Sequence, residues 1–201
     1  PTLKDLKKKD FKKKYGFEIP YNSNFCSIDY LDIDNLINQI LKLKPKNVLE
    51  LGTGYSTYAI MFALMKLKKD YNHEFNFYAV DQNKEYMNIV KNYLPKNFSE
   101  NIHFLYRPIY VEKYNNELMS FYEDLPKINF DYIYEDRSDD KRTKLAGDIF
   151  KFENSIDLSK HTFSFTIDQM PITMNYLKKN LKGNYKITGE VFHGTNFTTI
   201  K

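Results

Sequence analysis

Residues 46–57 read Lys46-Asn47-Val48-Leu49-Glu50-Leu51-Gly52-Thr53-Gly54-Tyr55-Ser56-Thr57. An apolar run, Val48 to Leu51, carries one acid and ends at two glycines that open a helical pattern. Paired glycines let a backbone turn tightly and approach a ligand closely. The helix start that follows offers unpaired N–H groups to a carboxylate or phosphate. The dinucleotide fingerprint asks for a third Gly or Ala where this chain has Thr57, and the phosphate-loop lysine is absent. The turn therefore suits a small zwitterion better than a pyrophosphate. The plain alternative is an ordinary strand-to-helix turn.

Outward from this turn, helix-like and strand-like stretches alternate. Residues 3 to 14 and 27 to 43 read as helices; in the second, Leu31, Ile33, Leu36, Ile37, Ile40 and Leu41 keep helical spacing. Helices are expected over 56 to 68, 83 to 94, 109 to 124, within 140 to 157, and over 172 to 181. Strands are expected over 75 to 80, 102 to 106, 130 to 134 and 162 to 167. Two last strands, 185 to 191 and 195 to 200, flank His193-Gly194 as a hairpin. This rhythm implies an α/β, doubly wound, mostly parallel sheet with helices on both faces. Such sheets bind ligands at the carboxyl ends of their strands, where strand order reverses.

The chain has 201 residues, 42% hydrophobic and 28% charged, which suits one domain of a soluble protein. Residues 1–45 form a helical cap and 46–201 the core; no Gly-, Ser- or Pro-rich linker divides them. No apolar run approaches the roughly 20 residues that span a bilayer, and no signal-peptide pattern opens the chain. The single cysteine, Cys26, excludes an internal disulfide and reads as a small core residue, so a cytoplasmic location is expected. Net charge is +4, with lysines crowded between Lys4 and Lys14. These could form a nucleic-acid arm, but a solvated helix face with Leu3, Leu6 and Phe11 turned inward is the simpler reading. The 17 Tyr and 16 Phe would suit an aromatic or sugar-like ligand, although composition bias explains them as well.

The second expected strand ends in Asp81, where two carboxylate oxygens could accept both hydroxyls of a ribose. Asp81 could equally cap the following helix. The run Glu50-x-Gly52-x-Gly54-x-Ser56, with Asp81 and the segment Asp131-Tyr132-Ile133-Tyr134-Glu135-Asp136, resembles the motifs of class I S-adenosylmethionine-dependent methyltransferases. In layout the resemblance covers about residues 46 to 201. It implies seven strands in the order 3-2-1-4-5-7-6. It also implies that Gly52, Gly54 and Ser56 border the methionine part of S-adenosylmethionine, that Glu50 orients its ammonium, that Asp81 takes the ribose, and that Gln82 borders the adenine. Asp136 would also touch the cofactor. The run Tyr106-Arg107-Pro108 departs from the family, which often has an acidic or small polar residue there.

Asp136 after the fourth core strand, with Asp168 and Gln169 after the fifth, resembles the ligand set of metal-dependent catechol-type O-methyltransferases. Two carboxylates and an amide oxygen would suit Mg2+, which would lower the pKa of a substrate hydroxyl. Asp136 and Asp168 are thus both catalytic and metal-binding candidates. Lys141 is the candidate base, since the family's lysine falls at Asp139; Lys144 is a second choice. Without metal, Asp136 only touches cofactor or caps a helix, Asp168 begins the turn to Pro171, and His161 or His193 could serve as base. DNA methyltransferases are excluded: no proline follows Glu135-Asp136-Arg137-Ser138, and no cysteine lies near. The expected reaction is O-methylation of a small-molecule acceptor. RNA or protein methylation, or cofactor binding without catalysis, are the alternatives, and a nicotinamide dehydrogenase ranks last. No nucleic-acid or membrane partner is expected, and a homodimer stays open.

Overall fold

The computed structural model describes residues 3–25, 28–137, 145–168, 170–189 and 194–200, with side chains from residue 7 onward. Cys26, Asp139, Lys141, Lys144, Gln169 and His193 lie outside the described residues.

Two helices, α1 (Leu3–Tyr15) and α2 (Tyr30–Leu43), precede the first strand. Then follow β1 (Asn47–Leu51), α3 (Tyr55–Tyr71), β2 (Asn76–Asp81), α4 (Lys84–Tyr93), a single turn α5 (Lys96–Ser99) and β3 (His103–Tyr106). Next come β4 (Ile109–Tyr114), β5 (Glu117–Tyr122), β6 (Tyr132–Glu135), α6 (Asp148–Ser155), β7 (Ser164–Ile167), α7 (Pro171–Asn180), β8 (Tyr185–Gly189) and β9 (Thr195–Thr199).

Seven strands form one sheet in the order β3-β2-β1-β6-β7-β9-β8. Counted among themselves in chain order, this is 3-2-1-4-5-7-6, as the resemblance implied. The five strands β3, β2, β1, β6 and β7 run parallel, and β9 is antiparallel to both neighbours. All four residues of β6 and of β7 are buried, as expected for parallel strands covered on both faces. One face carries Val48, Phe77 and Tyr132 against α2, α3 and the N-terminal Phe11 and Phe25. The other carries Leu49, Ile133 and Phe165 against α6, α7 and the β4–β5 hairpin. The N-terminal lysines pair within the chain: Lys8 and Lys12 both reach Glu18 at 3.0 Å, and Lys14 reaches Asp34 at 2.8 Å. Phe11 is buried beneath them.

One expectation fails. Residues 109 to 124 form no helix; β4 and β5 pair as an antiparallel hairpin with Tyr114 opposite Glu117. Its two-residue loop is Asn115-Asn116, with φ of +50° and +66°. Both central residues of such a loop need positive φ, a conformation asparagine tolerates, and the result matches the natural strand twist. The hairpin gains a third short partner where Ser120 bridges Ala146 in parallel.

Among the described residues no helix is long and apolar enough to cross a membrane.

Candidate active site

Strand order reverses between β1 and β6, and the acids singled out above converge at the carboxyl ends of β1, β2, β6 and β7. They border a cleft of about 980 Å³. Gly52, Gly54, Ser56, Asp81, Gln82, Asp136 and Asp168 all line it, and Glu50 lies beneath its floor.

The floor is built by the glycine turn. Gly52 has φ of +95°, and a Cβ there would sit 2.4 Å from the Asp136 carbonyl oxygen. Gly52 N–H donates to Val80 O at 2.9 Å, and Asp136 N–H donates to Leu51 O at 2.9 Å. The turn is thereby clamped between β2 and β6. Gly54 is less constrained, since a Cβ there would meet only Tyr86 Oη at 3.6 Å.

Thr57, which breaks the dinucleotide fingerprint, acts locally. Its hydroxyl accepts from Gly54 N–H at 3.0 Å and donates to Glu50 Oε2 at 2.7 Å. One side chain thus pins both the turn and the acid. Glu50 is fully buried, and its Oε1 has no hydrogen-bond partner; the same holds for the buried Ser56 Oγ. Burial pushes the Glu50 carboxyl up to about 8, opposed by the nearby Ser56 and Thr57 hydroxyls and reinforced by Asp81.

Asp81 does not cap α4; Asn83 does, accepting from Tyr86 N–H at 3.0 Å. Asp81 instead holds the loop above the glycines. Its Oδ2 accepts from Thr53 N–H at 3.0 Å and Thr53 Oγ1 at 2.8 Å, and its Oδ1 from Asn83 N–H at 2.8 Å. The roughly four acceptor sites of a carboxylate leave capacity for a ligand hydroxyl beside these bonds.

The far end of the cleft holds Asp136 and Asp168. Tyr134 donates its phenol proton to Asp168 Oδ2 at 2.6 Å. Burial, then the carboxylates of Asp168, Glu50, Glu135 and Asp32, push the Asp136 carboxyl well above the usual range. Such a concentration of acids favours a cationic guest. Asp136 and Asp168, both expected metal donors, line the same cleft, while Gln169 lies outside the described residues. Among those residues no three His, Cys, Asp or Glu side chains form a metal-holding group. His161 stands apart, beside Asn129 at 3.4 Å.

The N-terminal segment also lines the cleft, through Asn24, Phe25, Ile28, Asp29, Asp32 and Ile33. This segment is stapled to the start of α3: Asn22 N–H donates to Tyr55 Oη at 2.7 Å, and Tyr55 O–H donates to Asn22 O at 3.1 Å. Phe25 packs edge-on against Tyr55, Tyr86 and Tyr93.

A buried ion cluster, not foreseen from the sequence, supports the β6 end. Arg137 donates to both oxygens of Glu135, at 2.6 and 2.8 Å, and to Asp148 Oδ2. The guanidinium also lies over the Tyr122 ring, 4.6 Å from its centroid. An acid and a base two residues apart at the end of an otherwise apolar strand are the available signal.

No protein-family model matches this chain, and comparison with curated proteins finds no match. Solved structures do resemble it. An O-methyltransferase from Bacillus cereus in complex with SAH (S-adenosylhomocysteine) is 12% identical, with a TM-score of 0.59 over 99% of this chain and 100% of that one. The SAH-bound methyltransferase of Podospora anserina is 12% identical, with a TM-score of 0.61 over 100% of this chain and 88% of that one. The O-methyltransferase TomG of Streptomyces achromogenes, in complex with SAM, is 10% identical, with a TM-score of 0.56 over 100% and 99%. Across this likeness, and with the strand order observed, the chain carries the fold of the class I S-adenosylmethionine-dependent methyltransferases.

Proposed function

We propose that this chain binds S-adenosylmethionine in the cleft and transfers its methyl group to a hydroxyl of a small-molecule acceptor. The observation that carries the reading is Glu50: a fully buried carboxylate with one unpartnered oxygen, beside a glycine turn and one strand from Asp81. Burying an acid without a partner costs free energy, and a ligand ammonium or a water it holds would remove that cost. The similar structures bound to SAH or SAM support the same cofactor.

In this reading Glu50, Gly52, Gly54 and Ser56 receive the methionine end, and Asp81 the ribose. The bound cofactor supplies an electrophilic methyl on a sulfonium. The chain's own work is to align an acceptor oxygen with that methyl and to take its proton. Asp136 and Asp168 face the acceptor end, where a carboxylate can accept the proton directly. Asp136, Asp168 and Gln169 would together supply oxygen donors to Mg2+, which would favour the acceptor's ionised form. Lys141 would then be the base to test by substitution. Phe25, Ile28 and Ile33 give the cleft an apolar wall suited to a small organic acceptor.

Calorimetric titration with S-adenosylhomocysteine tests the core claim, repeated with Mg2+ and a catechol acceptor and again with chelator. Micromolar binding is expected, and absence of binding by folded protein rejects the reading. A chelator-sensitive acceptor signal, lost in Asp168→Ala, supports the metal-assisted form; a chelator-insensitive signal supports a side-chain base.

Two further outcomes follow at the cofactor end. Asp81→Asn puts an amide N–H opposite the Thr53 donors and removes a charge-assisted acceptor. S-adenosylhomocysteine binding should weaken about tenfold or more. Unchanged affinity in Asp81→Asn would remove it from the site.

Glu50 gives the second, a pH dependence. Its folded value of about 8 lies above the unfolded value, so the free protein holds the proton until pH nears 8. An ammonium favours the ionised form, so ligand affinity should rise by up to about fivefold as pH climbs to that value from one unit below it, and by up to about fiftyfold from two units below. Glu50→Gln should flatten that profile, read by titrating both proteins across the range. A flat profile in the unsubstituted protein would contradict the assignment.

A further inference from the structure

We propose that Tyr106 is the stacking platform for the ligand's purine base, gripping that base by its face at the β3 end of the cleft. The proposal rests on the cofactor reading above and gives a role to the run Tyr106-Arg107-Pro108, which departs from the family pattern.

The sheet order sets where a base must lie. Strands β1, β2 and β3 are consecutive neighbours. In the reading above, the methionine end sits at the glycine turn after β1 and the ribose at Asp81, which ends β2. A base carried on that ribose, away from the methionine chain, then falls at the end of β3. Tyr106 is the last residue of β3, is paired with Asp81 across the parallel ladder, and lines the cleft. Neighbouring strands lie about 5 Å apart, within reach of a ring held on the ribose.

The phenol ring offers an open surface. Tyr106 is 42% exposed. His103, first in the same strand, stacks on Tyr78 with centroids 4.7 Å apart, but among the described residues no ring packs against Tyr106. An exposed aromatic ring at a cleft wall gains when a second flat ring covers it.

Its backbone is anchored on both sides. Arg107 N–H donates to Asp81 O at 3.0 Å, which ties the end of β3 to β2. The Arg107 guanidinium donates to Tyr106 O at 2.9 Å and to Asp124 O, beyond the hairpin, at 3.1 Å. Pro108 has a fixed φ, and its carbonyl accepts from Glu123 N–H at 3.0 Å. A side chain on a fixed backbone has less freedom to lose when a ligand covers it. Stacking uses the face of a base and asks nothing of its hydrogen-bonding edge, so the site needs no acid after β3.

Calorimetry and proton NMR of bound S-adenosylhomocysteine, on the unsubstituted protein, Tyr106→Phe and Tyr106→Ala, test this. The side chain is partly exposed, so both variants should keep the fold, as a melting curve checks. Tyr106→Ala should weaken binding about fivefold or more, the loss expected when a stacked ring is removed. Tyr106→Phe keeps the face and should bind within about twofold of the unsubstituted protein. With either ring present, the adenine H2 and H8 signals should move upfield on binding, because a stacked ring shields protons over its face. In Tyr106→Ala at saturating ligand that shift should largely vanish. A ring that only shapes the protein would weaken binding in Tyr106→Ala and leave the shift unaltered. That result, unchanged affinity in Tyr106→Ala, or a loss in Tyr106→Phe equal to that in Tyr106→Ala, overturns the proposal while leaving cofactor binding intact. Failure of S-adenosylhomocysteine to bind the folded, unsubstituted protein would instead overturn the cofactor reading on which it rests.

Discussion

Arg137→Met is expected to cost about 3–5 kcal/mol of stability, the largest effect expected of any single substitution proposed for this chain. Glu135 and Asp148 are both buried, and Arg137 is the cation that reaches both. Removing it leaves two carboxylates in a low-dielectric interior without the guanidinium that bonds both. For a chain of this size that loss should lower the melting midpoint by about 6–20 °C. The deficit should also depend on pH in a defined direction. Burial already raises both carboxyls above their ordinary values, although Arg137 opposes it. Without the guanidinium both rise further. An acid whose folded pKa exceeds its unfolded one makes the fold less stable as pH climbs from the unfolded value through the folded one. The variant should therefore be worst at neutral pH and recover towards about pH 4, where the unfolded carboxyls are protonated too. Urea unfolding at about pH 5 and 7, the first point partway into that recovery and the second above it, measures this. Adding Glu135→Gln and Asp148→Asn should restore much of the loss, because neutral amides need no counter-ion. An equal deficit at both pH values, with no recovery in the triple variant, would show that the cluster acts through packing alone.

Gly52→Ala ranks second. Its φ of +95° is costly for any residue with a Cβ, and the added carbon would lie 2.4, 2.7 and 2.9 Å from Asp136 O, Asp136 C and Arg137 N. All three are backbone atoms of the strand-end segment that carries Asp136, so nothing soft can yield. Strain and overpacking together should cost about 2–5 kcal/mol. The β1 and β6 ends must part, which moves Asp136 and Glu50 at once. S-adenosylhomocysteine affinity should fall by well over tenfold, whereas Gly54→Ala, with only Tyr86 Oη at 3.6 Å, should be mild. Thermal unfolding and calorimetry on both variants separate the two glycines; equal effects would show that the turn, not the contact with Asp136, sets the requirement.

The glycine-turn end of the cleft and its supports differ in how far the sequence exposes them. Gly52, Glu50 and Asp81 stand beside an apolar run and a helix start, so local pattern places them at strand ends. Thr57 registers in the sequence only as a missing glycine; its hydroxyl bridge to Glu50 and Gly54 appears once α3 folds back over β1. Tyr134 sits within a strand motif, yet its bond to Asp168 joins residues of different strands. The hairpin passes for a helix because Tyr110, Tyr114, Leu118, Phe121 and Leu125 also fall on one helical face. The deciding signal is Asn115-Asn116, whose meaning is a backbone conformation and not a hydrophobic period.

The alternation of apolar runs, glycine and proline stops, and acids at run ends determined a mostly parallel α/β sheet with Glu50, Asp81, Asp136 and Asp168 at the carboxyl ends of its strands. Those signals are local: each depends on residues within a few positions of one another, through side-chain period and turn chemistry. Tertiary structure alone decided that Arg137 bridges Glu135 to Asp148, that Tyr122 meets Gln82, and that Phe25 and Asp32 line the cleft. Arg137 and Asp148 are 11 residues apart, and Tyr122 and Gln82 are 40 apart. They meet only because the sheet order brings their elements side by side. A contact of that kind is fixed by the free energy of the whole fold, in which charge burial and hydrogen bonding are settled only after the strands have found their neighbours.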